Sequence, residues 1–347
     1  MRRTLAILFF LGLLVAVGWV GVSLFAPYRA FPDSGMFVDI PRGASRRSIA
    51  GILADHGVVR NRWVFEALCR WRVQRTLVAG EYFFDRPVTA LEAFEALANG
   101  RVYVRQLLVP EGYSMFDIAD LVDRENFTTR EDFLAAALDP APIRDLAPNA
   151  PSLEGYLFPA TYAFPRHISG QEIAAAMVRR FRQQWSSIAA EHDLAAAFPL
   201  EQAVTLASLV ESETRKAEER PQVAAVFANR LRLGFPLQCD PTVVYAMELA
   251  GKYGGKLMAA NLQFASPYNT YRRTGLPPGP IANPGEASLR AALDPPRTDN
   301  LYFVANAEGG HFFSKTLAEH NRNVARYRQR LAQEQSGAAT ARPQRFP

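Results

Sequence analysis

The pattern of apolar and polar positions is simplest at the start of the chain. From Thr4 to Tyr28 no residue is charged, and Arg2 and Arg3 precede the run. A helix of that length crosses a bilayer. The run exceeds the apolar stretch of a cleaved signal peptide, and Pro27 after Ala26 is a poor cleavage context. The pattern therefore predicts a retained anchor over residues 4–28. Arg2 and Arg3 assign residues 1–3 to the cytoplasm and the rest of the chain to the outer side of the inner membrane.

After a linker over residues 29–35, two segments share one pattern. FVDIPRGASRRSIAGIL and QLLVPEGYSMFDIADLV both read Pro-x-Gly-x-Ser-x-x-x-Ile-Ala, first at Pro41, Gly43, Ser45, Ile49 and Ala50, then at Pro110, Gly112, Ser114, Ile118 and Ala119. Each is a β-rich run, a Pro/Gly turn, a Ser in the N-cap position and apolar residues at helical spacing. The first copy continues through RNRWVFEALCRWRV into AGEYFFD, so residues 36–86 read β-α-α-β within a module at 36–100. The second, with helices near 115–124 and 129–138, reads as a partial duplicate and connector over 101–150.

DPAPIRDLAPNAPS, rich in Pro, Asp and Ala, marks a boundary before a second domain at 151–330. Its pattern predicts helices near 170–194 and 200–218, and another over VAAVFANRLRLG stopped by Gly234. LYFVANAEGGHFFS reads as a hairpin with a Gly-Gly turn, followed by the helix TLAEHNRNVARYRQRLAQ. Residues 331–347, ending SGAATARPQRFP, are expected to be a disordered tail. The fold class is α+β, mainly helical in the second domain.

Composition adds limits more than identity. With 347 residues, 49% hydrophobic and 21% charged, the chain can build two globular cores. The net charge of +5 comes from dispersed Lys and Arg, so no nucleic-acid face is marked. Cys69 and Cys239 read as small buried side chains, and the histidines form no HExxH or CxxC arrangement, so no metal site is expected. GKYGGKL fails as a phosphate loop because Leu257 stands where Ser or Thr should hold magnesium, and GxSxG and SxxK are absent.

The candidate chemistry lies in LASLVESET, residues 206–214, where Glu211 and Glu213 interrupt an apolar helix. Its apolar arc is set by Ala203, Leu206, Ala207, Leu209 and Val210. Glu211 falls at one edge, beside Val204 and Ala207, and Glu213 at the other, about 160° round. From one helix the two cannot meet in one pocket, so a paired-carboxylate mechanism would take its second member from elsewhere. A carboxyl half-buried against apolar groups has a raised pKa, as a general acid requires. The alternative is structural, with the acids paired to Arg215, Lys216 or Arg220.

Three stretches are dense in sugar-binding side chains. LEGYLFPATYAF offers Glu154, Tyr156, Phe158 and Tyr162; LQCDPTVVYAM offers Gln238, Asp240, Thr242 and Tyr245; and SPYNTYRRTGLPPGPIANPG offers Tyr268, Asn269 and Tyr271. Aromatic faces stack on pyranose rings while amides and carboxylates take hydroxyls. These aromatics could equally be core, and the Pro/Gly loop a connector.

Together with VFANRL and LYFVA, these motifs resemble, in order, the membrane-anchored endolytic murein transglycosylases of the MltG type over residues 36–330. The 36–86 pattern resembles a LysM module, which binds glycans containing N-acetylglucosamine. The resemblance implies a cofactor-free lyase whose substrate is peptidoglycan and whose partners are cell-wall synthases of elongation or division. It assigns the acid/base to Glu211, the first Glu of the family's Val/Ile-Glu-x-Glu-Thr motif, and support to Glu213. Glu154, Tyr156, Gln238, Asp240, Thr242, Tyr245, Tyr268, Asn269 and Tyr271 are then expected to bind substrate. Cys239 departs from the family, which usually has a small hydroxyl residue there. Two rivals remain: a muramidase using Glu154 or Asp240 as second acid, and a wall-binding scaffold without turnover.

Overall fold

The computed structural model describes residues 2–191 and 199–340, with side chains to residue 333. By its contacts the chain divides into two units, Met1–Gln106 with Ala163–Arg166, and Leu107–Tyr162 with His167–Pro347.

In the first unit, α1 (Arg2–Phe25) is uncharged beyond Arg3 and exposed along almost its whole length, as a membrane-spanning helix must be outside lipid. Its last turn is different. Ser23 is buried, and Leu24 packs on the core of the globular part. The residues expected to form a linker are fastened down: Tyr28 and Val88 exchange backbone hydrogen bonds of 2.9 and 3.2 Å, Ala30 N–H donates to Gly57 O, and Phe31 is buried. A chain whose backbone groups are already paired is an extension of the module and not a free tether.

The module follows the order read from the sequence: β1 (Met36–Ile40), α2 (Arg46–Asp55), α3 (Arg62–Trp71) and β2 (Gly80–Phe84), with α4 (Ala90–Ala98) after it. β1 and β2 pair antiparallel from Met36↔Phe84 to Ile40↔Gly80. Val38 and Ile40 from one strand and Tyr82 and Phe84 from the other meet Leu53, Phe65 and Phe94 in one core. Burying each such side chain contributes roughly 1.5–3 kcal/mol. Ser45 accepts from Ser48 N–H and so caps α2, as the repeat predicts, and Asn61 caps α3 through Trp63 and Val64 N–H.

β3 (Arg105–Leu108) and β4 (Thr161–Phe164) form a second two-stranded sheet, and the unit boundary runs through both. The second repeat copy belongs to the second unit, where it is more than a connector. Ser114 caps α5 (Met115–Arg124) in a reciprocal box with Asp117, and α6 (Arg130–Ala137) packs between α5 and α7 (Gly170–Glu191). Residues 192–194 of the helix expected near 170–194 lie outside the described residues.

α8 (Leu200–Glu213) is enclosed by α9 (Arg220–Leu233), α10 (Asp240–Leu249) and α11 (Glu286–Leu293). It stops five residues short of the expected 218 because Thr214 is extended (φ −137°, ψ 134°). Gly234 ends α9 in the left-handed conformation (φ 72°), as the sequence implies. β5 (Tyr302–Ala305) and β6 (His311–Ser314) make the expected hairpin, with Tyr302 opposite Ser314. α12 (Leu317–Thr340) runs on through the start of the expected tail, and residues 341–347 lie outside the described residues. Cys69 and Cys239 are buried free thiols.

Candidate active site

α8 is buried on every side over most of its length, Thr205 and Ser208 included, because its polar groups are satisfied locally. Thr205 Oγ1 donates to Glu201 O at 2.6 Å, and Ser208 Oγ donates to Thr205 O at 2.7 Å while accepting Ile281 N–H. Enclosure removes the distinction between an apolar arc and its edges. What each acid meets is decided by the neighbouring loops.

Glu211 is 9% exposed and both its oxygens are engaged. Oε1 accepts from Arg220 Nη2 at 2.6 Å and Oε2 from Gly285 N–H at 2.9 Å, at the start of α11. The same Arg220 nitrogen reaches Glu111 Oε2 at 3.0 Å. Burial pushes the Glu211 carboxyl up, while the Gly285 N–H and the Arg220 guanidinium hold against it. Gly285 lets Glu111 approach closely: a Cβ there would lie 2.1 Å from the Glu111 carboxyl carbon, which would have to swing aside. This is a braced ion pair, the arrangement with Arg220 that the structural alternative foresaw. Glu211 is therefore engaged by protein groups at both oxygens.

Glu213, the last residue of α8, lines a cleft of about 390 Å³ with Arg230, Gln238, Asp240, Tyr271 and His311. Burial raises its pKa; the Cys239 thiol beside it opposes this, and Asp240 adds to it. A carboxyl whose acid form is favoured by burial, at the wall of an open polar cleft, can give its proton to a bound glycosidic oxygen and take one back. Tyr271 donates a hydrogen bond from its hydroxyl to Asp240, and burial pushes that phenol up. Gln238 holds φ at 54°, a sparsely populated conformation for a side-chain-bearing residue, and is exposed in the cleft. Arg230 is fixed by Leu301 O and Leu237 O at 2.7 Å each. His311 is held by Glu219, through Nδ1 at 2.7 Å and its backbone N–H at 3.0 Å.

The remaining expected substrate residues are engaged within the protein. Glu154 is 1% exposed and accepts from Met115 N–H at 2.9 Å and Asn283 Nδ2 at 2.7 Å; burial pushes it up to about 8, against the pull of that N–H and of the Tyr245 hydroxyl. Asn283 Oδ1 in turn accepts Gly155 and Leu157 N–H. Tyr156 packs edge-on to Phe181, and Tyr245 lies against Tyr268 at 5.2 Å, all buried. Thr242 Oγ1 donates to Cys239 O, and Asn269 donates to Leu262 O and Phe264 O and accepts Tyr271 N–H. These side chains help shape the surrounding loops.

Sequence reasoning missed Glu111 and Asn283. The available signal was polar residues inside motif loops: Glu111 in VPEGYS and Asn283 in GPIANPG.

The model of the YceG-like family matches residues 38–326. The chain is 34% identical over 326 residues to an endolytic murein transglycosylase of Bacillus subtilis (strain 168), covering 88% of this chain and 89% of that protein. It is 30% identical over 363 residues to one of Streptococcus pneumoniae serotype 2, covering 93% of this chain and 64% of that longer protein. A crystal structure of a yceG-like protein from Listeria monocytogenes superposes with a TM-score of 0.54 at 33% identity, over 83% of this chain and 98% of that one.

Proposed function

The chain belongs to the YceG-like family, and from that premise we propose that it is a peptidoglycan lytic transglycosylase, a lyase that cuts glycan strands internally while held at a membrane. The observation that carries the chemistry is Glu213 at the wall of the cleft, with its pKa raised by burial.

Glu213 in its acid form protonates the oxygen linking N-acetylmuramic acid to N-acetylglucosamine, and that C–O bond breaks. The resulting carboxylate takes the proton of the muramyl 6-hydroxyl, whose oxygen bonds to C1 and closes a 1,6-anhydro ring. The proton balance closes on Glu213, and no water or cofactor enters. Asp240 with Tyr271, Gln238 and Arg230 offer acceptors and donors to sugar hydroxyls in the same cleft, and holding the 6-hydroxyl at attack distance is worth much of the rate. Glu211 serves the reaction by holding α8 to Arg220 and α11. The rival assignment, Glu211 as acid, rests on the family motif and requires the buried ion pair to open.

Asp240 shares the cleft with Glu213, which gives a hydrolytic muramidase its one supporting observation. The test is to digest purified glycan strands with the full chain and weigh the new ends. Anhydro ends support the lyase; reducing ends carrying the mass of water contradict it.

The β-α-α-β module with its antiparallel β1–β2 pair supports the LysM-like reading, and with it a glycan-holding role. Arg2 and Arg3 ahead of α1 support an N-terminus in the cytoplasm of an inner-membrane protein with both units outside, near the synthases whose nascent strands it would terminate.

A further inference from the structure

The outward face of α3 is unusual for a water-exposed surface. α3 turns Val64, Phe65, Leu68 and Cys69 into the module core and leaves Trp63, Ala67, Arg70 and Trp71 outside. These four stand at i, i+4, i+7 and i+8, one stripe along the helix. Trp63 is 53% exposed and Trp71 79%. A solvated helix face carries charge at such positions; two bare indoles on one stripe mark a contact surface.

The flanks of the stripe are cationic. The segment Arg60–Arg75 holds five arginines and one acid, Glu66, which is paired with Arg70 at 2.7 Å; Arg72 and Arg75 share Glu95 of α4 at 2.9 and 3.0 Å, so the arginines remain in excess. Guanidinium groups lie over both indoles: Arg62 is 4.5 Å and Arg47 5.5 Å from the Trp63 ring, and Arg72 is 5.9 Å from the Trp71 ring. Indole rings with arginines beside them suit the layer where acyl chains meet anionic headgroups.

The position of the stripe along the chain supplies the occupant. α3 and α4 pack against α1, and Leu24 in the last turn of α1 packs on the module core. Arg60, just ahead of α3, lies 4.6 Å from the ring of Tyr28, three residues after α1 ends. The start of α3 is thus pinned to the point where the spanning helix leaves the bilayer, and no slack linker separates them.

We infer that the Trp63–Trp71 face of α3 is seated in the headgroup layer of the membrane that α1 crosses, so that the module rests on anionic lipid and is not held off it on a tether. The inference depends on α1 spanning the membrane, as proposed above. It assigns the exposed indoles and their arginines to lipid, leaving glycan binding to other faces of the module.

The test uses the full chain in vesicles containing phosphatidylglycerol, in two single-tryptophan forms made by Trp→Phe changes. One keeps Trp19, inside α1, and the other keeps Trp71. Lipids brominated either near the headgroup or near the chain end serve as quenchers. If the inference holds, Trp71 loses about half its emission to the shallow bromines and little to the deep ones. The loss shrinks when Arg62 and Arg70 are changed to Ala. Trp19, quenched by the deep bromines, shows that α1 spans. Trp19 quenched with Trp71 at full emission overturns the seated module alone and gives the face to another partner. Trp19 unquenched by any lipid overturns the spanning helix and the seated module together.

Discussion

Glu211 and Glu213 are two residues apart on α8, yet one is locked to Arg220 at 2.6 Å and the other opens on the cleft. On the reading proposed above, the pair divides support from chemistry, with the two roles exchanged relative to the motif-based expectation. The division makes each residue separately testable.

Changing Glu211 to Gln leaves Arg220, itself 6% exposed, facing Glu111 alone. Breaking a buried pair from one side costs about 3 kcal/mol or more, so the urea midpoint should fall strongly. Glu111, with its side chain 48% exposed, contributes little by comparison, and Glu111→Gln should shift the midpoint by less than about 1 kcal/mol in stability. At a temperature where Glu211→Gln is still folded, measurable turnover should remain.

The rate should carry the raised pKa of Glu213. Its acid form is the proton donor, so kcat/KM falls as pH rises through that pKa, which lies above the ordinary 4.5 because the carboxyl is buried. The negative charge of Asp240 raises it further. Asp240→Asn therefore moves the alkaline limb of the kcat/KM profile to lower pH. A limb that stays in place would break the link between the two residues.

Glu154 predicts a stability effect separate from catalysis. Its folded pKa of about 8 stands above the ordinary 4.5, so between these values the native chain holds more protons than the unfolded one. Stability must then fall as pH rises from about 4.5 to about 8 and level off above. Urea melts across this range should show the slope in the wild type, and Glu154→Gln should flatten it.

Gly285→Ala tests the close approach at the start of α11. With a Cβ 2.1 Å from the carboxyl carbon of Glu111, either the loop or Glu111 must move. Glu111 is the flexible, half-exposed partner and can swing aside, so the expected cost is less than about 1 kcal/mol, read as a small drop in melting temperature. Adding Glu111→Ala should recover part of it.

Much of the fold was legible because its signals are local. The long apolar N-terminal helix, both Ser N-caps of the repeat, the Gly234 stop and the β5–β6 hairpin depend on neighbours within a few positions. The site was only half legible. A helical wheel assumes one wet face, and α8 has almost none, so the edge positions of Glu211 and Glu213 said nothing about which acid meets solvent. That is decided by Arg220 and Gly285 for one and by Gln238, Asp240 and Tyr271 for the other, partners up to 74 residues away. Residue type alone left the geometry of the sugar-binding candidates open for a related reason. Glu154, Thr242 and Asn269 carry the right groups but spend them on Met115 N–H, Cys239 O and Leu262 O. Residue type reports what a side chain can bind, and only its loop reports whether it is free.

The central claim is that Glu213 alone shuttles the proton, and end-group analysis of digested glycan strands tests it most directly. Wild type, Glu211→Gln and Glu213→Gln are compared at equal folded concentration. The account predicts 1,6-anhydro ends from wild type, the same ends at reduced yield from Glu211→Gln, and a loss of about a thousandfold or more from Glu213→Gln. Anhydro ends persisting in Glu213→Gln and vanishing in a folded Glu211→Gln would contradict it.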